Sequence, residues 1–442
     1  MVIDAPGDLP PQGAVLEGAP SVPDLLSSGR EFFPALIQAI DAAQTEVLLE
    51  TYIFSQDKTG EQVAQALARA ARRGLRVRVV IDGFGTRPVP EPLLELWTGS
   101  GAQVQVFSPV PVLLTLDRQR LRRLHRKLAC IDGEVGFVGG INVLDDHWDP
   151  NHGALEHPRL DYAVRVRGRL AHEVRQTMVR LWEQVSAPGA IGRNLGVRRS
   201  IARSNAEQVS PWSDTGTPFN ETDARAQDAG TPDARASDAT LKVGSLSGLR
   251  STPARLVLRD SLTQRRAIER AYLRAIGQAR REVLIATAYF FPGRRFRRAL
   301  REAADRGVKV RLLLQGRAEY LLPHRAAQAM YDSLLSRGIE IHEYTRSFLH
   351  AKVAVIDDWA TVGSSNIDPF SLLLSREANV VVQDRSFARQ LRASLDQEIR
   401  DGATQVLMDQ VRRRPWWQRL SGWLAYGLLR LGVRVSGERL DQ

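Results

Sequence analysis

Residues 46–85 read EVLLETYIFSQDKTGEQVAQALARAARRGLRVRVVIDGFG, and residues 282–316 read EVLIATAYFFPGRRFRRALREAADRGVKVRLLLQG. Each opens on an apolar, β-rich run and continues with a segment of helical period. Each then passes through a glycine, Gly74 or Gly307, into a second apolar strand. Glycine at such a helix end supplies the left-handed residue that caps it. Strand, helix and strand in that order spell a βαβ unit, whose parallel strands are buried and therefore continuously apolar. A chain of 442 residues is long for one domain, and duplication accounts for the length. Glu46 matches Glu282 at an offset of 236 residues, and the offset drifts to 225 at the histidine motifs farther on, so the halves differ in loop length. The predicted fold is α/β: two similar mixed-sheet halves related by pseudo-twofold symmetry.

Working outward, residues 1–24 read as a flexible lead-in, 25–190 as the first repeat and 253–405 as the second. Between them, 191–252 reads as a mobile surface insertion, rich in Ser, Thr, Asp, Ala, Gly and Pro over 196–246, where few large apolar residues can pay for ordering. An ordered, irregular loop is the alternative. The first thirty residues contain no apolar core of a signal peptide, and no run of ~18 apolar residues predicts a spanning helix. Net charge is +11 with a pI near 10.2, which favours a polyanionic partner, either nucleic acid or an anionic lipid surface. The single cysteine, Cys130, has no internal disulfide partner, as suits a reducing compartment. Of 61 basic residues only Lys58, Lys127, Lys242, Lys309 and Lys352 are lysine. Where lysine persists in so arginine-biased a chain, its compact charge is a candidate for a specific task.

Two of the five belong to a repeated motif. HRKLACIDGEVGFVGGIN holds His125, Lys127, Asp132, Gly139, Gly140 and Asn142, and HAKVAVIDDWATVGSSN holds His350, Lys352, Asp357, Gly363, Ser364, Ser365 and Asn366. Each is H-x-K-x4-D followed by a small-residue turn and an asparagine. A lone histidine on an apolar strand is more often a satisfied core residue, but two copies with one internal spacing favour function. Residues two apart on a strand share a face, so each His–Lys pair points one way. Asp132 and Asp357, the third members of the motifs, count with the histidines and lysines as catalytic candidates. Odd parity turns them from that face, so they rank below the others in direct contact and suit bracing the adjoining turn. Neutral imidazole is a nucleophile and protonated imidazole an acid near pH 7. Two ammonium groups can neutralise the oxygens of a phosphodiester as its charge shifts, and Asn142 and Asn366 can add amide donors. The lysines then take the role that metal ions play at other phosphoryl-transfer sites, so neither metal nor cofactor is expected.

The paired motifs resemble those of the phospholipase D superfamily over roughly residues 25–185 and 255–400. The stretch FLHAKVAVIDDWATVGSSNIDPFSLLLSREANVVV is similar to bacterial cardiolipin synthases, particularly the short form without N-terminal membrane spans. The resemblance implies that one histidine attacks phosphorus while the other protonates the leaving alcohol, and that an incoming alcohol or water releases the phosphoenzyme. It also implies an acidic residue orienting each histidine, for which Asp161 in RLDYAVRVRG and Glu377 in SREANVVV stand at the expected places. Asp132 precedes Gly139 by seven positions, but Asp357 precedes Gly363 by six. A one-residue slip flips the faces of the following strand, so a tighter turn has to restore the GSSN placement.

Residues 412–435, RRRPWWQRLSGWLAYGLLRLGVRV, put Trp416, Trp417, Leu420, Trp423, Leu424, Gly427, Leu428 and Leu431 on one helical face, with arginines clustered at the start. The segment 406–442 therefore reads as a basic amphipathic tail that inserts into an anionic headgroup layer; a cap on the core or a dimer contact is the alternative. The reading as a whole is a phosphatidyl transferase that uses a phospholipid and an alcohol acceptor such as phosphatidylglycerol or glycerol. Its expected place is peripheral, on the cytoplasmic side of the inner membrane, with no nucleic-acid partner. Hydrolysis of the same lipid, nucleic-acid cleavage and a non-catalytic lipid scaffold are the competitors. The one-site reading requires His125 and His350 to meet across the interface of the halves and flank one phosphate.

Overall fold

The computed structural model describes residues 22–107, 123–149, 152–187, 253–259, 264–318, 321–368 and 375–435. The inter-repeat insertion and most of the N-terminal lead-in lie outside these residues.

The first half contributes strands β1 (Asp24–Ser27), β2 (Glu46–Thr51), β3 (Arg76–Asp82), β4 (Gln103–Phe107), β5 (Arg123–Leu124), β6 (Lys127–Ile131), β7 (Val135–Gly139), the small hairpin β8 (Trp148–Asp149) and β9 (Gly153–Ala154), and β10 (Tyr162–Arg167). The second contributes β11 (Ala254–Arg259), β12 (Glu282–Thr287), β13 (Lys309–Gln315), β14 (Glu340–Tyr344), β15 (Lys352–Ile356), β16 (Trp359–Gly363), β17 (Ser375–Gln383) and β18 (Ala403–Gln405). The sheets run β1-β10-β7-β6-β2-β3-β4 and β11-β17-β16-β15-β12-β13-β14-β18. In each, three strands are parallel (β2-β3-β4 and β12-β13-β14). The motif hairpin and its neighbours are antiparallel. The two mixed sheets are thus the same construction, as the repeat predicts.

The βαβ units close as their sequences dictate. Helices Lys58–Arg72 and Arg294–Asp305 cross between the parallel strands. Gly74 and Gly307 follow them with φ of +86° and +83°, a conformation glycine adopts without a Cβ penalty. The helices cover the outer sheet faces through two separate cores. A third core lies between the halves and joins Leu128, Val138 and Val164 to Leu284, Val353 and Val380. Burying both sheets against each other fixes the halves as one body and sets the two motifs opposite one another.

The hairpins also resolve the unequal spacing. In β6–β7, Ile131 pairs with Val135 across three turn residues, whereas in β15–β16 Ile356 pairs with Trp359 across two. Val353 pairs with Val362, which places Lys352 opposite Gly363, as Lys127 pairs with Gly139. The shorter turn absorbs the missing residue, and the GSSN segment keeps its register.

Asp132 and Asp357 are corrected here as catalytic candidates. Each follows the last residue of its motif strand, roughly 16 Å along the chain from the lysine at the other end. Each occupies the left-handed region at φ +53°. The Asp132 carboxylate accepts the amides of Gln44, Thr45 and Glu46 at 2.8–2.9 Å. Asp357 accepts those of Arg280, Arg281 and Glu282 at 2.8–3.0 Å. Both therefore pin the hairpin turn to the start of the first parallel strand. Burial would raise the Asp132 carboxyl, but these amides and the Thr45 hydroxyl outweigh it and hold the group below the usual range. Asp132→Ala strands three amides and should cost about 1–3 kcal/mol. Because the folded value is depressed, that stability is present above pH ~4 and is lost as pH falls through the folded value. The difference in unfolding midpoint between wild type and variant should therefore shrink in acid. A difference unchanged from neutral pH to pH ~3 would contradict this role.

Candidate active site

β6 runs antiparallel to β2, so its first residue, Lys127, lies at the carboxyl end of β2, and Lys352 pairs directly with Thr287 at the end of β12. This is the edge at which α/β sheets hold ligands. Just ahead of each lysine the chain crosses to the other half. Arg123 and Leu124 pair in parallel with Ser375 and Arg376, and Leu160 bridges Leu349. The amide of His125 donates to the Arg376 carbonyl at 3.1 Å, and that of His350 donates to the Leu160 carbonyl at 2.8 Å. One residue upstream, the Leu124 amide donates to Asp82 Oδ2 at 2.7 Å and the Leu349 amide to Gln315 Oε1 at 3.0 Å. Asp82 and Gln315 end matching strands of the repeat. Their shared position was a signal the sequence offered.

The side chains cross as the backbones do. His125 Nδ1 lies 3.0 Å from Glu377 Oε1 and 3.1 Å from Oε2. His350 Nδ1 lies 2.6 Å from Asp161 Oδ2. Each histidine is thus oriented by a carboxylate from the opposite half. With Nδ1 engaged, Nε2 is the ring nitrogen left to meet a substrate. The exposures agree: the imidazoles are 16% and 18% exposed, their carboxylates 0% and 3%. Lys127 Nζ donates to the His125 carbonyl at 2.7 Å, Lys352 Nζ donates to that of His350, and Lys352 Nζ stands 4.0 Å from Asp161 Oδ2. Tyr52 packs edge-on against the His125 ring at 5.0 Å, with the Lys127 ammonium 5.4 Å from its centroid. Asn142 Oδ1 accepts the Ile53 amide at 3.2 Å, which leaves its Nδ2 as the donor end. Asn366 is buried, and its Oδ1 has no hydrogen-bond partner among the described residues.

Burial dominates the electrostatics, because each charge here has lost most of its water. It pulls His125 down to about 4 against the attraction of Glu377, and both lysines deepen the fall. Lys127 drops to about 7, first through burial and then through Lys352. His350 falls well below the ordinary imidazole range through burial, then Lys352, Lys127, Arg159 and His125. Groups 225 residues apart in sequence thus interact, in keeping with the crossed carboxylates that bring the two motifs to one seam. The carboxylates diverge. Burial would raise Glu377, but His125, Arg259 and Lys127 hold it below its usual range. Asp161 is pushed up to about 7 because burial outweighs Lys352 and the Tyr162 amide.

Fold and site together define a duplicated α/β protein in which two halves build one histidine–lysine centre. The model of the cardiolipin synthase, phospholipase D-like domain matches residues 36–182 and 272–399, and the chain belongs to that family. Cardiolipin synthase B of Escherichia coli K12 is 36% identical over 407 residues, covering 92% of this chain and 87% of the relative. The major cardiolipin synthase ClsA of Bacillus subtilis is 26% identical over 403 residues, covering 90% and 72%. The crystal structure of phosphatidylserine synthase from Haemophilus influenzae shares the fold, with a TM-score of 0.60 at 14% identity over 93% of this chain and 94% of that one.

Replacing either orienting carboxylate by its amide keeps the shape but removes the group that can hold a charge or a proton against Nδ1. Glu377→Gln and Asp161→Asn should each lower kcat by on the order of 10²–10⁴ with little change in KM. Near-wild-type kcat in either variant would remove that carboxylate from the machinery.

Proposed function

We propose that the protein is a phosphatidyltransferase of the cardiolipin synthase type, working through a phosphatidyl-histidine intermediate. The observation that carries this reading is the pair of imidazoles, each fixed through Nδ1 by a carboxylate of the other half, with a buried lysine bonded to the backbone of each. The tautomers follow from the partners. Glu377, an anion, accepts Nδ1–H of neutral His125, so the Nε2 lone pair is free to attack phosphorus. Asp161 and His350 hold one proton more between them and titrate as a pair, so His350 can donate from Nε2 while Nδ1 is resupplied by Asp161.

In the first step His125 Nε2 forms the N–P bond, and the glycerol oxygen of a phosphatidylglycerol leaves with the proton from His350. In the second, His350 takes the proton of an acceptor hydroxyl, whose oxygen attacks phosphorus and displaces His125. Lys127, Lys352 and the two asparagine amides serve the non-bridging oxygens, whose charge the site stabilises without reorganising. Incubation with phosphatidylglycerol vesicles should give cardiolipin and free glycerol, resolved by mass spectrometry. His350→Ala should accumulate the phosphatidyl-enzyme and His125→Ala should not. Phosphatidic acid as the sole product would make the enzyme a hydrolase instead, and trapping in His125→Ala alone would exchange the roles.

The C-terminal helix, Trp416–Val435, supports attachment to an anionic membrane, and the structure changes the picture of it as a separable tail. Ala425, Tyr426 and Leu429 are buried in the core of the second half, with Tyr426 against Phe291 at 5.0 Å. The opposite face leaves Trp416, Trp417, Leu420, Trp423, Leu424 and Leu428 about half to three-quarters exposed. Arg412 and Arg413 are exposed beside it. No helix among the described residues is long and apolar enough to span a membrane. The helix is thus packed on one side and unpartnered on the other, the form of a docking face rather than a tether. Removing it would uncover the core, so the discriminating change is Trp416→Ser with Trp417→Ser and Trp423→Ser. Each large side chain contributes on the order of 1.5–3 kcal/mol when fully buried, and each nearby arginine ~1 kcal/mol on anionic lipid. The triple variant should lose roughly tenfold or more in vesicle affinity while cleaving a short-chain, soluble phosphodiester normally. Unchanged sedimentation with anionic vesicles would move the lipid surface elsewhere.

A further inference from the structure

The two halves of the site are not equivalent around their carboxylates. Arg259, the last residue of β11, pairs with Glu377 of β17. Cross-strand partners project to one face, and Arg259 Nη2 donates to Glu377 Oε1 at 3.2 Å. The guanidinium is 1% exposed and the carboxylate 0%. Ser364 Oγ donates to Glu377 Oε2 and also accepts the Ala378 amide at 3.1 Å. Glu377 is therefore held from three directions, by a guanidinium, a hydroxyl and the imidazole of His125.

The register identifies the counterparts in the first half. β1 pairs with β10 so that Ser27 opposes Tyr162, which continues to Ser28 opposite Asp161, and the Ser28 amide donates to the Asp161 carbonyl at 2.8 Å. Serine thus stands where the second half has Arg259. The counterpart of Ser364 is Gly140, where even a Cβ would lie 2.3 Å from Asp161 Oδ1. Among the described residues no arginine bonds Asp161. Its close partners are His350, Lys352 and the Tyr162 amide. Arg259 also lies outside both segments matched by the family model.

We propose that Arg259, supported by Ser364, is the positioning residue of the His125 side: it fixes Glu377 as an ion-paired carboxylate and so holds His125 in the tautomer that leaves Nε2 unprotonated. The inference rests on the histidine chemistry above. A buried guanidinium without its carboxylate, or the reverse, is costly, so the pair is locked as two ions, and a fixed anion stabilises the cationic ring that forms when His125 bonds phosphorus. The charged groups facing Glu377 are His125, Arg259 and Lys127. Those facing Arg259 beyond Glu377 are Asp368 and Glu269. Asp161 faces Lys352, Lys127, Asp146 and His350 instead. The broken symmetry gives one carboxylate a permanent charge and leaves the other free to share a proton.

The test is the pH dependence of phosphatidyl-enzyme formation, measured in a His350→Ala background so that the intermediate accumulates. Glu377 must be ionised, and removing its cation raises the pH at which it loses its proton. With Arg259→Met the acid limb should therefore move up by about one unit or more, a loss approaching tenfold at pH values below the shifted limb that recovers as the pH rises past it, with KM for phosphatidylglycerol unchanged. Arg259→Lys should restore part of the shift. Ser364→Ala, a small change that spares the fold, should move the limb in the same direction by less. If Arg259→Met does not fold, Ser364→Ala decides the matter. An acid limb identical to that of the parent in every folded variant overturns the proposal. Failure of the His350→Ala parent to accumulate any intermediate would instead count against His125 as the nucleophile, so the two failures are distinguishable.

Discussion

The exchange of carboxylates between the halves is the constraint on which the rest of the structure depends. Glu377 bonds His125 and Asp161 bonds His350, so neither half owns a complete centre. For those bonds to form, each motif must be brought to the other half's β10 or β17 strand. The backbone pairs at Leu124–Arg376 and Leu160–Leu349 do this. Those pairs hold in turn because the two sheets bury one apolar face against each other. Hydrophobic burial supplies the association and hydrogen bonds supply the register. The site is the seam.

Closing the seam also sets the chemistry. Lys127 and Lys352 are both buried at this seam, and burial first, then the charge of Lys352, lowers Lys127 to about 7. Like charges kept together in a dry place await an anion, and a phosphodiester supplies it. The imidazoles are likewise pushed below their ordinary range, first by burial and then further by these ammonium groups. The protein has spent folding energy to hold groups that a bound phosphate would relieve, which is preorganisation in its electrostatic form. The two ends of the seam also differ in what stands behind the carboxylate: Arg259 and Ser364 at one, Ser28 and Gly140 at the other.

Much of this was legible in the chain itself. Period two pointed each histidine and lysine one way, although each strand begins only at the lysine, and the helical run between two apolar strands gave the parallel unit. The doubled motif implied one shared centre. The shorter Asp357 turn was legible as a demand for compensation, which the two-residue hairpin meets. What was not legible depends on distant segments. Parity turned Asp132 and Asp357 away from the site, yet it could not say that they bind the amides before β2 and β12. The choice of carboxylate for each histidine is a tertiary fact, since Glu377 lies 252 residues from His125. Arg259 looked like one arginine among many until β11 was paired with β17. The C-terminal helix showed its apolar stripe in sequence, but only packing reveals that Tyr426 and Leu429 secure the opposite side.

The crossed pairing is tested most directly by nuclear magnetic resonance of the enzyme with selectively ¹⁵N-labelled histidine. Ring-nitrogen shifts report which nitrogen carries the proton and what it bonds. Glu377→Gln should change the Nδ1 signal of His125 and leave that of His350 nearly in place, and Asp161→Asn should do the converse. If Glu377→Gln instead moves His350, the histidine of its own half, and leaves His125 unmoved, the two halves do not exchange carboxylates and the shared site described here is wrong.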